Sequence, residues 1–129
     1  MCDYADQTQL IRYFWDAAAA LDGSAALDLD EGRRYLLCHP EPLRELFQSA
    51  HLGDIEVSTI DVRTMFRDFD DYWYPFLGGQ GPAPSYAISL SEERRAVLRE
   101  NIRHSLPISP DGSINPVARA WAIRGIRKE

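Results

Sequence analysis

The residues best equipped for chemistry crowd into positions 66–84, FRDFDDYWYPFLGGQGPAP. Phe66, Phe69, Trp73 and Phe76 recur at three- and four-residue spacing, which predicts a short helix with these rings on one face. Tyr72 and the carboxylates of Asp68, Asp70 and Asp71 then look toward water. Behind the rings, Leu77-Gly78-Gly79-Gln80-Gly81-Pro82 breaks the pattern. An aromatic face can wall an apolar pocket, and a glycine-proline loop beside it can act as a mobile lid. The same spacing also fits a satellite core helix followed by a surface turn, since apolar stripes mostly pack.

Other reactive side chains are few. Cys2 and Cys38 form no Cys-x-x-Cys pair, and His39, His51 and His104 have no metal-ligand spacing with them or with one another. Cys38 and His39 are adjacent in sequence, but neighbouring residues rarely aim both side chains at one point, so both read as structural.

The 129 residues suffice for one domain with a real core. A hydrophobic fraction of 45% with 26% charged residues places the chain among folded proteins. Its net charge of -6 argues against nucleic acid as a partner, because phosphate contacts need clustered Lys and Arg. The polar start from Asp3 to Gln9 carries no signal peptide, and no apolar run reaches membrane-spanning length. A reduced, cytoplasmic protein with no membrane partner is expected.

The elements that position these residues follow in order. A helix is predicted over 8–21, with Leu10, Ile11, Phe14, Trp15, Ala17, Ala18 and Leu21 as a wide apolar stripe. Asp6 with Gln9 resembles a capping box, and Gly23 suits the stop. So broad a stripe requires more than one packing surface. Residues 24–31 read as irregular or as a helical turn, and 33–38 as extended. Pro40-Glu41-Pro42 opens a second helix that buries Leu43, Leu46, Phe47 and Ala50 and ends at Gly53. Residues 54–62 alternate as a strand whose phase shifts at Ile60, which predicts a bulge. Ser89-Leu90-Ser91-Glu92 is a capping box for a third long helix with Val97, Leu98 and Ile102 inward. Residues 106–116, with three prolines and Asp111-Gly112, form a loop or turn, and 117–126 is a closing strand with small residues on one face. Two strands make a poor sheet for about four helices, so the chain reads as part of a larger α/β design.

The order of these pieces is similar to the C-terminal half of a class I S-adenosylmethionine-dependent methyltransferase of the small-molecule type. The likeness rests on Asp3-Tyr4-Ala5, Arg12-Tyr13-Phe14-Trp15-Asp16-Ala17-Ala18, Glu31-Gly32-Arg33-Arg34, and Pro42-Leu43 with Leu46-Phe47. It is strongest over Phe66 to Trp73 and Pro75 to Pro82, with the terminal Ala118-Arg119-Ala120-Trp121-Ala122. The implied fold is α/β, or α+β as the chain stands: a partial Rossmann-like arrangement with an antiparallel strand pair. In the family's terms 54–62 is strand six and 117–126 is strand seven, which inserts between five and six. Strands one to four, the glycine-rich turn that cradles the cofactor and the acidic residue that holds its ribose have no counterpart here. Gly78-Gly79-Gln80-Gly81 cannot replace that turn, because no strand precedes it.

What the resemblance implies for function is therefore the substrate side. Asp3 and Tyr4 would lie at the carboxyl end of a strand, where ligands bind in open α/β sheets. Trp15, Tyr72, Trp73, Phe76 and the loop with Gly79 and Gln80 would shape the pocket for the methyl acceptor. The full-length family uses S-adenosylmethionine; none is expected to bind this chain alone. An exposed edge of strand seven and the apolar stripe of the first helix imply a homodimer or a complementary N-terminal half. The readings carried forward are an inactive methyltransferase-like portion, a noncatalytic dimerisation module, and a small-ligand binder with an aromatic cavity.

Overall fold

The structure is a computed structural model that describes residues 1–128. It combines helices with one antiparallel pair of strands, an α+β arrangement. In chain order the elements are α1 (Gln9–Asp22), α2 (Ser24–Leu29), α3 (Glu31–Arg34), α4 (Pro40–Ser49), β1 (Leu52–Arg63), α5 (Phe69–Trp73), α6 (Pro82–Ser89), α7 (Glu92–Ser105) and β2 (Val117–Arg127). Three-residue-per-turn segments Leu36–Cys38 and Tyr74–Gly78 link some of them. Seven α-helices among the described residues replace the expected four, because several are only one or two turns long.

Helix α1 is the centre of the core. Phe14, Trp15, Ala17 and Ala18 are buried, and Leu10, Ile11, Tyr13 and Leu21 pack around them. Phe14 stacks on Phe76 at 4.7 Å between ring centroids and meets Trp15 edge-on at 5.1 Å. Helices α2, α6 and α7 and strand β2 all touch α1, so its broad stripe is covered within the chain. The expectation that the stripe lacks a partner is corrected here. The start of α1 also differs from a capping box. Gln9 Oε1 accepts from the backbone N–H of Val117 at 2.8 Å, and Asp3 takes over the turn: its backbone carbonyl accepts from Thr8 N–H and its Oδ2 from Gln7 N–H. Residues 8–21 were expected as the helix, and Thr8 is instead the residue before it.

Strands β1 and β2 pair from Leu52 opposite Arg127 to Arg63 opposite Val117. The bulge exists, but between Gly53 and Glu56, where Asp54 adopts a positive φ of 48°, and not at Ile60. Asp tolerates that left-handed conformation better than most residues. The phase change at Ile60 has another cause: Ile60 and Val62 occupy the sheet face shared with cross-strand Ala120 and Ala118, opposite to the face of Val57. Both are more than half exposed. On its other side β2 meets the chain's first residues. Asp3 N–H donates to Arg119 C=O, Trp121 N–H donates to Met1 C=O, and Cys2 bridges Ala120 antiparallel. The edge expected to be open is therefore closed as far as Trp121.

Further corrections are local. Residues 33–38 are not extended: α3 and the turn Leu36–Cys38 occupy them. Helix α4 ends at Ser49, before Gly53, and of its expected buried face Leu43 is buried, Phe47 half-buried, and Leu46 and Ala50 exposed. Helix α7 is capped by Ser91, whose Oγ accepts from Arg94 N–H, while Ser89 donates to Tyr86 C=O at the end of α6. Leu98 and Ile102 point inward as expected; Val97 is 48% exposed and does not.

Candidate functional site

A cavity of about 490 Å³ lies against the first turn of α1. Leu10 and Ile11 of α1, the rings of Phe66, Tyr72 and Phe76, and Pro82 to Pro84 line it. Its volume suits a drug-sized molecule, and its lining is mostly apolar, as small-molecule sites are. Three ionisable groups line it, Tyr4, Glu31 and Tyr72. A second hollow of about 460 Å³ lies around Arg12, Asp16, Asp30 and Arg33, where Arg12 already pairs with both Asp16 and Asp30.

The position of Glu31 follows from its neighbours. Asp30 precedes α3 and its Oδ1 accepts from Gly32 N–H at 2.8 Å, which starts the short helix. Arg12 from α1 grips Asp30 with two hydrogen bonds and donates a further one to Tyr4 C=O at 3.0 Å. Burial alone would lower the pKa of the Arg12 guanidinium; Asp30 and Asp16 together outweigh that and raise it. Gly32 is fixed by a close approach: a Cβ there would sit 2.6 Å from Ala5 Cα and 2.7 Å from Tyr4 C=O. Only glycine lets the Tyr4–Ala5 turn seat on α3. These contacts hold Tyr4 and Glu31 on one side of the cavity.

Glu31 is 93% buried by its 7% exposure, and Trp15 Nε1–H donates to its Oε1 at 3.1 Å. Among the described residues its carboxyl has no salt-bridge partner. Burial raises its pKa, opposed by the Trp15 hydrogen bond. Burial likewise pushes the Tyr4 hydroxyl up to about 12, with Cys2 contributing, and raises Tyr72. Both phenols stay protonated near neutrality. The Tyr72 hydroxyl donates to Leu10 C=O at 2.6 Å, so it braces the cavity wall. Cys38 is buried against Gly32 C=O with its pKa raised by burial, which leaves it a neutral packing group. Among the described residues no group of three or more His, Cys, Asp and Glu could hold a metal ion.

A raised carboxyl pKa means that the folded state binds its proton more tightly than the unfolded chain does. Stability from this source is present at low pH and is lost as pH rises through the folded value. Glu31→Gln removes the titration while keeping an oxygen for Trp15. Relative to wild type, the variant should gain stability between pH 4 and pH 7, read from urea midpoints. An identical pH dependence in both proteins would show that Glu31 does not titrate abnormally.

The expected site residues divide. Tyr4, Tyr72, Phe76 and Gln80 line the cavity. Tyr72 does so as a buried residue, 1% exposed, not as one facing water. Trp15 stands behind the lining and positions Glu31. Asp3 is buried as the turn-former described above. Trp73 stacks on Phe69 at 6.4 Å and tilts against Phe76, in the core. Gly79 ends the turn Tyr74–Gly78 with φ 72° and does not line the cavity. Of the rings expected on one helix only Phe69 and Trp73 lie on α5; Phe76 is in the turn Tyr74–Gly78, and Phe66 bridges Ile114 before α5 begins. Sequence reasoning missed Glu31, Leu10 and Ile11 as lining residues. The adjacent acids Asp30 and Glu31, with a glycine after them, were the available signal. No family model matches the chain, and no curated protein or solved structure is detectably similar to it.

Proposed function

We propose that this chain is the substrate-side portion of a fold like that of class I S-adenosylmethionine-dependent methyltransferases, holding a small molecule in the cavity beside Tyr4 and Glu31. The observation that carries this reading is the order of backbone partners around β2. Met1–Asp3 bonds one edge and β1 the other, each antiparallel to it. A strand inserted antiparallel between its two neighbours is the arrangement that the resemblance implies for strands five, seven and six. Tyr4, the residue after the carboxyl end of the Met1–Asp3 segment, lines the cavity, and open α/β sheets bind ligands at such strand ends.

On this reading the chain's residues bind and orient an acceptor, and transfer depends chiefly on positioning. The methyl group would come from S-adenosylmethionine held by a complementary half. Calorimetric titration should find no micromolar binding of S-adenosylmethionine to the isolated chain. Fused through its N-terminus to the cofactor-binding half of a small-molecule methyltransferase, the same chain should bind it saturably. Micromolar binding by the isolated monomer, or a folded fusion with no affinity, would overturn the reading.

A noncatalytic assembly module is the second reading, favoured by the sheet face on which Ile60 and Val62 are 54% and 55% exposed. The occupant would be a second copy or the complementary half. Sedimentation equilibrium at micromolar concentration separates them. A homodimer broken by Ile60→Glu supports assembly through this face, and a monomer removes the homodimer.

A further inference from the structure

We infer that the cavity selects a cationic amine carried on an apolar, ring-sized body, with Glu31 as the counter-ion. The inference rests on the reading of the cavity as a small-molecule site and names the class of molecule. Glu31 is buried in a mostly apolar wall, yet among the described residues only its Oε1 has a partner, Trp15 Nε1–H at 3.1 Å. Among the described residues nothing donates to its Oε2, which is not fully enclosed, and Glu31 lines the cavity. A carboxylate in such surroundings is expensive to ionise unless a positive charge joins it. Neither nearby arginine forms an ion pair with it: Arg12 is bound to Asp30, Asp16 and Tyr4 C=O, and Arg34, exposed with its guanidinium over the Tyr35 ring, attracts Glu31 only at a distance. Tyr4, protonated near neutrality, adds no competing negative charge. The missing partner is a donor entering through the cavity, and a cation satisfies Oε2 best. Leu10, Ile11, Phe66 and Phe76 leave room for an apolar ring system behind it.

An ammonium held this way has no free lone pair. It is an anchor, and any methyl-accepting atom must sit elsewhere on the molecule.

The probes are 2-(1-naphthyl)ethylamine, 2-(1-naphthyl)ethanol and 1-naphthylacetate, titrated calorimetrically into the full chain. The amine should bind roughly tenfold more tightly than the alcohol, the contribution of one charge-assisted hydrogen bond, and the acetate should not bind. Glu31→Gln should bring the amine down to the alcohol's affinity and leave the alcohol unchanged. In wild type, lowering the pH from 7 to 4 should weaken the amine and not the alcohol. The charged or titratable groups facing Glu31 in that range are Arg12 on α1, Asp30 and Arg34 around α3, and Tyr4; the arginines and the tyrosine hold their protons throughout. Equal amine and alcohol affinities would overturn the charge inference alone. Failure of all three probes would overturn the cavity reading beneath it as well, and a Gln variant that keeps the amine preference would overturn the role of Glu31.

Discussion

Asp30→Ala should destabilise the chain by about 3–5 kcal/mol, the range for removing one member of a buried ion pair. Asp30 is 2% exposed, receives two hydrogen bonds from Arg12 and caps Gly32 N–H. The substitution leaves the half-buried Arg12 guanidinium with only exposed Asp16 and Tyr4 C=O as partners, and leaves α3 without its first cap. Against a net stability of about 5–15 kcal/mol for a domain this size, that is a large fraction. Urea denaturation followed by circular dichroism reads it. Asp30→Asn, which keeps the cap and loses the charge, should cost less. A loss below about 1 kcal/mol in the alanine variant would mean that the Tyr4–Ala5 turn is held by something other than this pair.

The second large effect is expected at Trp73, and it is structural. Trp73→Ala removes a ring that is 5% exposed and packed against Phe69 and Phe76, so the loss should be about 3–5 kcal/mol. The residue does not line the cavity, and a folded remainder of the variant should bind cavity probes as wild type does. Selective loss of probe binding with unchanged stability would return Trp73 to the pocket, where the resemblance implied it. Tyr72 is the contrast: it touches the cavity directly and anchors to Leu10 C=O.

Much of this architecture was legible because its signals are local. The Ser89–Glu92 signal (although the cap proved to be Ser91 and not Ser89), Pro40-Glu41-Pro42, and the alternating strands each carry their own instructions. The aromatic stretch was only partly legible. A single helical wheel over 66–76 turns Tyr72 outward, but α5 lasts five residues and then tightens into the turn Tyr74–Gly78. Three residues per turn rotate the faces, and the contact that buries Tyr72 comes from Leu10, 62 residues earlier. Helix α6 was hidden because prolines at 82 and 84 look like loop punctuation, although proline is well placed in a first turn. Glu31 was invisible as a lining residue for a different reason. Its burial depends on Gly32 admitting the Tyr4–Ala5 backbone, a close approach that no periodicity encodes.

The most direct measurement is amide chemical-shift mapping of the ¹⁵N-labelled chain with 2-(1-naphthyl)ethylamine. Saturable shifts are expected at Tyr4, Leu10, Ile11, Glu31, Phe76 and Ala83, with the Trp15 indole N–H moving as its acceptor Glu31 gains a second partner. Shifts confined to the sheet around Ile60 and Val62, or a spectrum that the amine leaves unchanged, would contradict binding in this cavity.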